Sequence, residues 1–292
     1  MRIIRYVPVE KEPVLAACTE EGRVYPLPQK HLQELIRQAE DEGLSPLTWV
    51  KSWMEETEPI EESVESLRLT VPVVAPEVWA AGVTYERSRE ARNYEATGGK
   101  LDATTFYDKV YDAVRPELFM KSTAARTVGP GDEMCLRSDS TWQIPEPELG
   151  LVLDSKGRIV GYTAGNDLSC RDIEGENPLY LPQAKMWRRS CSLGPSVLLA
   201  DVVDNPYQFA IACRIYRNGS LVTEGTASTS QLKRKLEELV SFLTRDNEVF
   251  DGTVLLTGTC IVPPNEFTLA DGDVVEIEIS GIGTLLNTMR TA

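Results

Sequence analysis

Residues 69–76 read Leu69-Thr70-Val71-Pro72-Val73-Val74-Ala75-Pro76, and at this run the character of the chain changes. Downstream, short apolar stretches are separated by glycine and proline, the pattern of strands and turns. Strands are expected over 149–153, 158–164, 197–200, 209–216, 253–256 and 274–279. Arg217-Asn218-Gly219-Ser220, set between Ile215-Tyr216 and Leu221-Val222, marks a hairpin. One long helix is expected over 230–243, with Leu232, Leu236, Leu239, Val240 and Leu243 as its apolar stripe. Helices do not alternate with strands, which argues against a doubly wound sheet or a TIM barrel. The expected fold is mainly β over 71–292.

Upstream, residues 1–70 read as a small α/β N-terminal domain. Strand-like runs surround Ile3-Ile4 and Val14-Leu15-Ala16-Ala17. A helix is expected over 29–39, with Leu32, Leu35 and Ile36 on one face and Gly43 ending it. A second is expected over 45–55, with Ser45 as N-cap and Pro46 in first position. Residues 55–65 form an acidic, solvated stretch.

The chain has 292 residues, of which 42% are hydrophobic and 26% charged, so it can bury a full core. Its net charge of −15 repels phosphate backbones and anionic membrane surfaces. No nucleic-acid or membrane partner is therefore expected. The apolar start is too short for a signal-peptide core, so the expected location is the cytoplasm. The six cysteines show no CxxC pair and are expected as free thiols.

The strongest chemical signal is Ile144-Pro145-Glu146-Pro147-Glu148-Leu149-Gly150. Two carboxylates two residues apart on an extended chain point to the same side. Asp167, at the end of the next expected strand, offers a third. Three carboxylates without His or Cys suit a hard ion, Mg²⁺ first, then Mn²⁺ or Ca²⁺. An acidic chain also contains solvated Glu-x-Glu pairs by chance.

Other segments recur in a fixed order around this one. They include Gly82-Val83-Thr84-Tyr85, Pro116-Glu117-Leu118-Phe119-Met120-Lys121, and Gly161-Tyr162-Thr163-Ala164-Gly165-Asn166-Asp167. Ala184-Lys185, Leu193-Gly194-Pro195, Leu256-Thr257-Gly258-Thr259 and Asp271-Gly272-Asp273 follow. As an ordered set over about 70–292 they resemble the fumarylacetoacetate hydrolase superfamily. The resemblance implies a mixed β-roll with a metal at its mouth, in homodimers or homotetramers. It also implies that Glu146, Glu148 and Asp167 are the Mg²⁺ ligands.

One departure bears on the reaction. Hydrolases of the family carry a His, paired with a Glu, on the lid after the Gly-x-x-Tyr motif. Here that segment, Glu86-Arg87-Ser88-Arg89-Glu90-Ala91-Arg92-Asn93-Tyr94, has none, and the chain's one histidine is His31 in the N-terminal module. The segment is similar instead to the family's dehydratase branch, as is Leu181-Pro182-Gln183-Ala184-Lys185. That similarity implies Mg²⁺-dependent dehydration of a 2-keto-3-deoxy sugar acid, such as 2-keto-3-deoxy-D-arabinonate, to 2,5-dioxopentanoate. The alternatives are a C–C hydrolase or decarboxylase of a β-diketo acid, acylpyruvate or oxaloacetate, and a metal-binding relative without turnover.

For the dehydration, Lys185 is expected as the base at C3, its pKa lowered by burial and the cation. Glu117 is expected as the acid that releases the C4 hydroxyl. Arg87 and Arg92 on the lid, Tyr85 and the Thr259 hydroxyl are the expected substrate contacts. Arg87 also fits an ordinary charged helix face with Glu90. Gly98-Gly99 is read as a hinge or a loop.

Overall fold

The computed structural model describes residues 1–9, 11–97 and 106–291. The Gly98-Gly99 hinge lies outside the described residues. At the N-terminus, β1 (Arg2–Tyr6), β2 (Val14–Cys18) and β3 (Val24–Pro26) make an antiparallel meander. Helices α1 (Leu32–Asp41) and α2 (Pro46–Glu55) follow. α1 buries Leu32, Leu35, Ile36 and Ala39, the spacing of one helical face. α2 begins as its sequence predicts, with the Ser45 hydroxyl accepting from the Thr48 amide and Pro46 filling the first turn.

The rest of the chain supplies β4 (Glu77–Gly82), β5 (Glu117–Thr123), β6 (Thr127–Val128), β7 (Glu133–Leu136), β8 (Gln143–Ile144), β9 (Pro147–Leu153) and β10 (Ile159–Asp167). It continues with β11 (Ser169–Cys170), β12 (Cys191–Leu199), β13 (Ala210–Arg217), β14 (Ser220–Ser228), β15 (Thr253–Thr259), β16 (Val274–Ile279) and β17 (Gly283–Thr291). The helices between them are α3 (Glu86–Thr97), α4 (Phe106–Asp112), α5 (Arg171–Glu176), α6 (Leu181–Lys185) and α7 (Leu236–Leu243). None of the described helices is long and apolar enough to cross a membrane.

The large sheet runs β3-β2-β1-β12-β10-β9-β15-β4-β5, with β6 also paired to β12. A second sheet runs β14-β13-β16-β17-β7. Most pairs are antiparallel, while β15–β4, β12–β6 and β17–β7 are parallel. This is the mixed, mainly β architecture that the sequence predicts.

β9 lies at the centre of the large sheet and is buried along its whole length. Its alternation divides the core. Leu149, Leu151 and Leu153 pack toward Ile211, Ile277 and Leu285 of the second sheet. Val152 faces the other way, into a cluster shared with Ile3, Leu35, Val50 and Val254. The N-terminal module therefore continues the large sheet, through β1 paired with β12, and shares a core with the body.

The expected helix over 230–243 is shorter. Residues 229–231 form a single 3₁₀ turn, capped reciprocally by Ser228 and Gln231, and α7 starts only at Leu236. The intervening residues are drawn into tertiary bonds. The Lys233 amide donates to the Thr84 carbonyl at 3.1 Å, and the Arg234 guanidinium donates to the carbonyls of Val110, Ala113 and Val114. These bonds, which no local periodicity reports, override helix propensity there.

A cavity at Leu151 cannot relax between two tightly packed faces. Leu151→Ala should cost about 2–5 kcal/mol in urea unfolding. Leu286→Ala, on β17 and 39% exposed, should stay within about 0.5 kcal/mol of the parent.

Candidate active site

The ladder between β9 and β10 assembles the carboxylates. Gly165 sits opposite Glu148 and Asn166 opposite Pro147, and the Asp167 amide donates to the Glu146 carbonyl at 3.0 Å. Asp167 thus closes on Glu146 although 21 positions separate them in the chain. The Glu146 amide in turn donates to Asn166 Oδ1 at 3.2 Å. One oxygen from each of Glu146, Glu148 and Asp167 lies within 4.8 Å of the others, and all three residues are buried.

Backbone geometry on β15 and after β4 fixes their surroundings. The Gly258 amide donates to Glu148 Oε2 at 2.6 Å. At Gly258 φ is +97°, and a Cβ would lie 2.0 Å from Thr84 Oγ1. Only glycine permits that approach. Gly82 makes room in the same way for Glu117, whose Oε2 would lie 1.8 Å from an added Cβ. Val83, between Gly82 and Thr84, holds φ at 54°, a strained value for a β-branched residue.

Around the triad is a narrow, nearly filled cleft of about 10 Å³. Its walls include Val83, Ser88, Arg92, Phe119, Lys185 and Thr259. Lys185, on α6, donates to Glu146 Oε2, to Ser169 Oγ at 2.6 Å and to Asp167 Oδ2 at 3.1 Å. Lys121, on β5, is fully buried, lies 2.7 Å from Asp167 Oδ1 and donates to the Leu168 and Lys185 carbonyls.

Burial raises the Glu148 carboxyl well above the usual range, and Asp167 and Glu146 push it further. Glu146 is also raised, by burial against the opposing pull of Lys185. For Asp167 burial acts upward too, but Lys121 and Lys185 outweigh it and hold the carboxylate below its ordinary value. Lys185 reverses the expectation of a lowered pKa. Burial does push it down, yet Asp167, Glu146 and Glu174 overcome this and the net shift is upward. With its three protons engaged, Lys185 is a held ammonium. Burial raises Glu117, and its Oε2 has no hydrogen-bond partner among the described residues.

The other predicted residues divide. Arg92 is buried, lines the cleft and lies 3.0 Å from Glu174 Oε2. Arg87 points to solvent and pairs with Glu90 at 3.1 Å, as an ordinary helix face does. Thr259 lines the cleft, with its hydroxyl donating to the Ile261 carbonyl at 3.1 Å. Tyr85 is buried beside Cys260 and is not part of the cleft wall. His31 stands at the N-cap of α1, outside the cleft.

Glu174, Arg171, Lys121 and Ser169 were not assigned from the sequence. Arg171 and Glu174 share a face of α5 at i, i+3, which was a readable signal. Arg171 Nη2 donates to Glu146 Oε1 at 3.2 Å, and burial lowers its pKa to about 9. Lys121 carries no local cue beyond its motif.

Three buried carboxylate oxygens, two of them on groups raised chiefly by burial, form one donor set. Oxygen-only donors in this arrangement fit a hard divalent cation. Fold and site together define an enzyme that uses such a cation at the mouth of a mixed β-roll.

The chain belongs to the fumarylacetoacetate hydrolase family, whose C-terminal domain model matches residues 88–290. It is 48% identical over 227 residues to a 2-dehydro-3-deoxy-D-arabinonate dehydratase of Saccharolobus solfataricus, covering 78% of this chain and 76% of that protein. It is 48% identical over 237 residues to a probable 2-keto-3-deoxyxylonate dehydratase of Haloferax volcanii, covering 81% and 80%. A solved structure of 2-keto-3-deoxy-D-arabinonate dehydratase with magnesium and 2,5-dioxopentanoate superposes with a TM-score of 0.85 at 38% identity, covering 100% of this chain and 99% of that one.

Carboxyls raised in the fold add stability at low pH and lose it as pH rises through the folded pKa. Glu146 and Glu148 are both raised, so the metal-free site should be penalised most on the alkaline side. A bound cation requires the deprotonated form and offsets that penalty. EDTA should therefore lower the melting temperature in calorimetry more at about pH 8 than at about pH 5.5. An equal shift at both would count against a cation on this triad.

Proposed function

We propose that this protein dehydrates a 2-keto-3-deoxy sugar acid, a pentonate of the 2-keto-3-deoxy-D-arabinonate kind, to 2,5-dioxopentanoate with Mg²⁺ as cofactor. The observation that carries this reading is the cleft itself. A triad for a hard cation shares the cleft with Lys185, while the lid supplies Ser88 and Arg92 and no imidazole; Glu117, packed against Gly82 and raised by burial, lies close enough to feel Arg92, Lys185 and Asp167. The relatives named above act on, or are complexed with, the same class of compound.

Glu146, Glu148 and Asp167 hold the metal. When bound, Mg²⁺ supplies a Lewis acid for the carboxylate and ketone oxygens of the 2-keto acid and compensates the crowded carboxylates. Glu117 takes a proton from C3 and passes it to the C4 hydroxyl, which leaves as water. A C5 proton then moves to C3, giving a C4–C5 enol that becomes the C5 aldehyde. Atoms balance as substrate minus one water, with no redox partner. Lys185 keeps Glu146 and Asp167 in place from beneath, so its role shifts from base to positioning cation. Arg92 and Thr259 contact the substrate. Arg87 and Tyr85 stand further out, Arg87 on the rim of α3 and Tyr85 as packing below the cleft.

Six free, buried cysteines support a cytoplasmic setting. An edge strand, β14, with Leu221 and Val222 exposed at 48% and 44%, supports a homodimer or homotetramer. Light scattering should give a mass at least twice the 32.5 kDa of the chain. A monomer at micromolar concentration would remove this part of the reading.

Activity tests the reaction. Supplied with Mg²⁺ and 2-keto-3-deoxypentonates, the enzyme should release 2,5-dioxopentanoate, while acylpyruvates and oxaloacetate should remain intact. Glu117→Gln should lower kcat about 10²–10⁴-fold and stop C3 hydrogen exchange with D₂O. Lys185→Met should weaken Mg²⁺ binding in calorimetry. If Lys185→Met instead stops exchange at unchanged Mg²⁺ affinity, Lys185 is the base.

A further inference from the structure

The charge contacts of the cleft converge on Glu174. Its side chain is wholly buried on α5. Oε2 lies 3.0 Å from Arg92 Nη1 on α3, and Oε1 lies 3.2 Å from Lys185 Nζ on α6. Burial acts to raise this carboxyl, but Arg92, Lys185 and Arg171 outweigh it and keep it ionised. One carboxylate therefore ties the lid helix to the cation that steadies two of the metal ligands.

α3 is held to α4 by Asn93, whose Nδ2 donates to Asp108 Oδ1 at 2.7 Å, and by Arg89 over the Tyr111 ring, while its face toward the cleft is small. Among its described residues, Ser88, Ala91 and Arg92 are buried, whereas Glu86, Arg87 and Glu90 lie in solvent. Ser88 is bonded back to Tyr85 within the same turn, its hydroxyl donating to the Tyr85 carbonyl at 2.7 Å. Ala91 contributes one methyl. A guanidinium taken out of water needs a counter-charge to stay there. Glu174 supplies it, and Arg92 thereby comes to line the cleft beside Glu146, Glu148 and Asp167.

We propose that Glu174 is a positioning residue that docks Arg92 of the lid and holds Lys185 against Glu146 and Asp167, so that the seating of α3 and the setting of the metal ligands are one event. The dehydratase reading supplies the identity of the substrate, but the coupling belongs to any 2-keto acid that fills the cleft. A purely structural Glu174 would serve Lys185 alone and leave α3 indifferent to it.

The test follows backbone hydrogen exchange over 86–94 in the Mg²⁺-loaded full chain, with and without pyruvate as a non-eliminating 2-keto acid. In parallel, kcat and KM are measured on the pentonate and Mg²⁺ affinity by calorimetry. Glu174→Gln should speed exchange over 86–94 about tenfold or more, without a comparable change over β9. It should cut kcat/KM by roughly 10²-fold, the cost of a small misplacement of reacting groups. Glu174→Asp should recover part of both losses. Arg92→Met should speed α3 exchange likewise and shift Mg²⁺ affinity in the same direction as Glu174→Gln, while the double variant should be no worse in exchange than either single one.

Unchanged exchange over 86–94 in Glu174→Gln, or single effects that simply add, overturns the proposal. If Glu174→Gln does not fold, Arg92→Met decides alone, and unchanged α3 exchange in it is equally fatal. Failure of the wild-type enzyme to turn over pentonates strikes the dehydratase reading only, because α3 exchange and Mg²⁺ affinity are read without turnover.

Discussion

Charge compensation away from water is the constraint on which this structure rests. Five carboxylates, Glu117, Glu146, Glu148, Asp167 and Glu174, share one enclosed region with four cations, Lys121, Lys185, Arg92 and Arg171. With every group ionised, one negative charge is left over among these described residues. Buried ions that lack partners are costly, so the cluster persists only because each cation touches at least one acid. A divalent cation together with a monoanionic 2-keto acid brings the region to neutrality.

Sequence patterning reports what is local, and the structure divides along that line. Ser45 and Pro46 announce α2 because capping is decided within one turn. The strand 274–279 is recovered with its limits, and the Asn218-Gly219 hairpin joins β13 to β14 as read. Glu146 and Glu148 are visible because a strand repeats every two residues, and Asp167 because it ends the adjacent strand. Lys121 and Glu174 reach the same cluster through sheet order and a short helix, which no spacing encodes. The start of α7 was misjudged for a related reason. Lys233 and Arg234 look helical, but their bonds run to Thr84 and to the end of α4.

Lys185 shows how far a residue's chemistry depends on neighbours that lie distant in the chain. Burial alone makes a lysine a plausible base, and the one-dimensional sequence carries no measure of the carboxylates around it. In place, Lys185 faces Glu146, Asp167 and Glu174 at once, and each favours the ammonium. Glu117 has the opposite environment. It is enclosed against Gly82 without a hydrogen-bond donor on Oε2, so its charged form is the disfavoured one. A carboxyl with a pKa nearer neutrality exchanges protons more readily with a weakly acidic C–H. For Lys185 the surrounding carboxylates outweigh burial, whereas for Glu117 burial is the larger effect.

The floor and the lid are held by different kinds of bond, and Glu174 joins the two. The floor is fixed by backbone ladders of β9, β10 and β15, which any side-chain change on α3 leaves intact. The lid is fixed largely by side chains, Arg92 with Glu174, Asn93 with Asp108 and, through the preceding turn, the Thr84 hydroxyl with the Thr257 carbonyl, together with one backbone bond from the Lys233 amide to the Thr84 carbonyl. Replacing an imidazole there by a guanidinium removes a base for water and adds a fixed positive charge that suits a substrate anion. Glu86 and Glu90 of α3 are turned to solvent, where they pair with Arg89 and Arg87, so the described lid residues that reach the cleft, Ser88 and Arg92, offer it a hydroxyl and a cation rather than an acceptor for a proton of water.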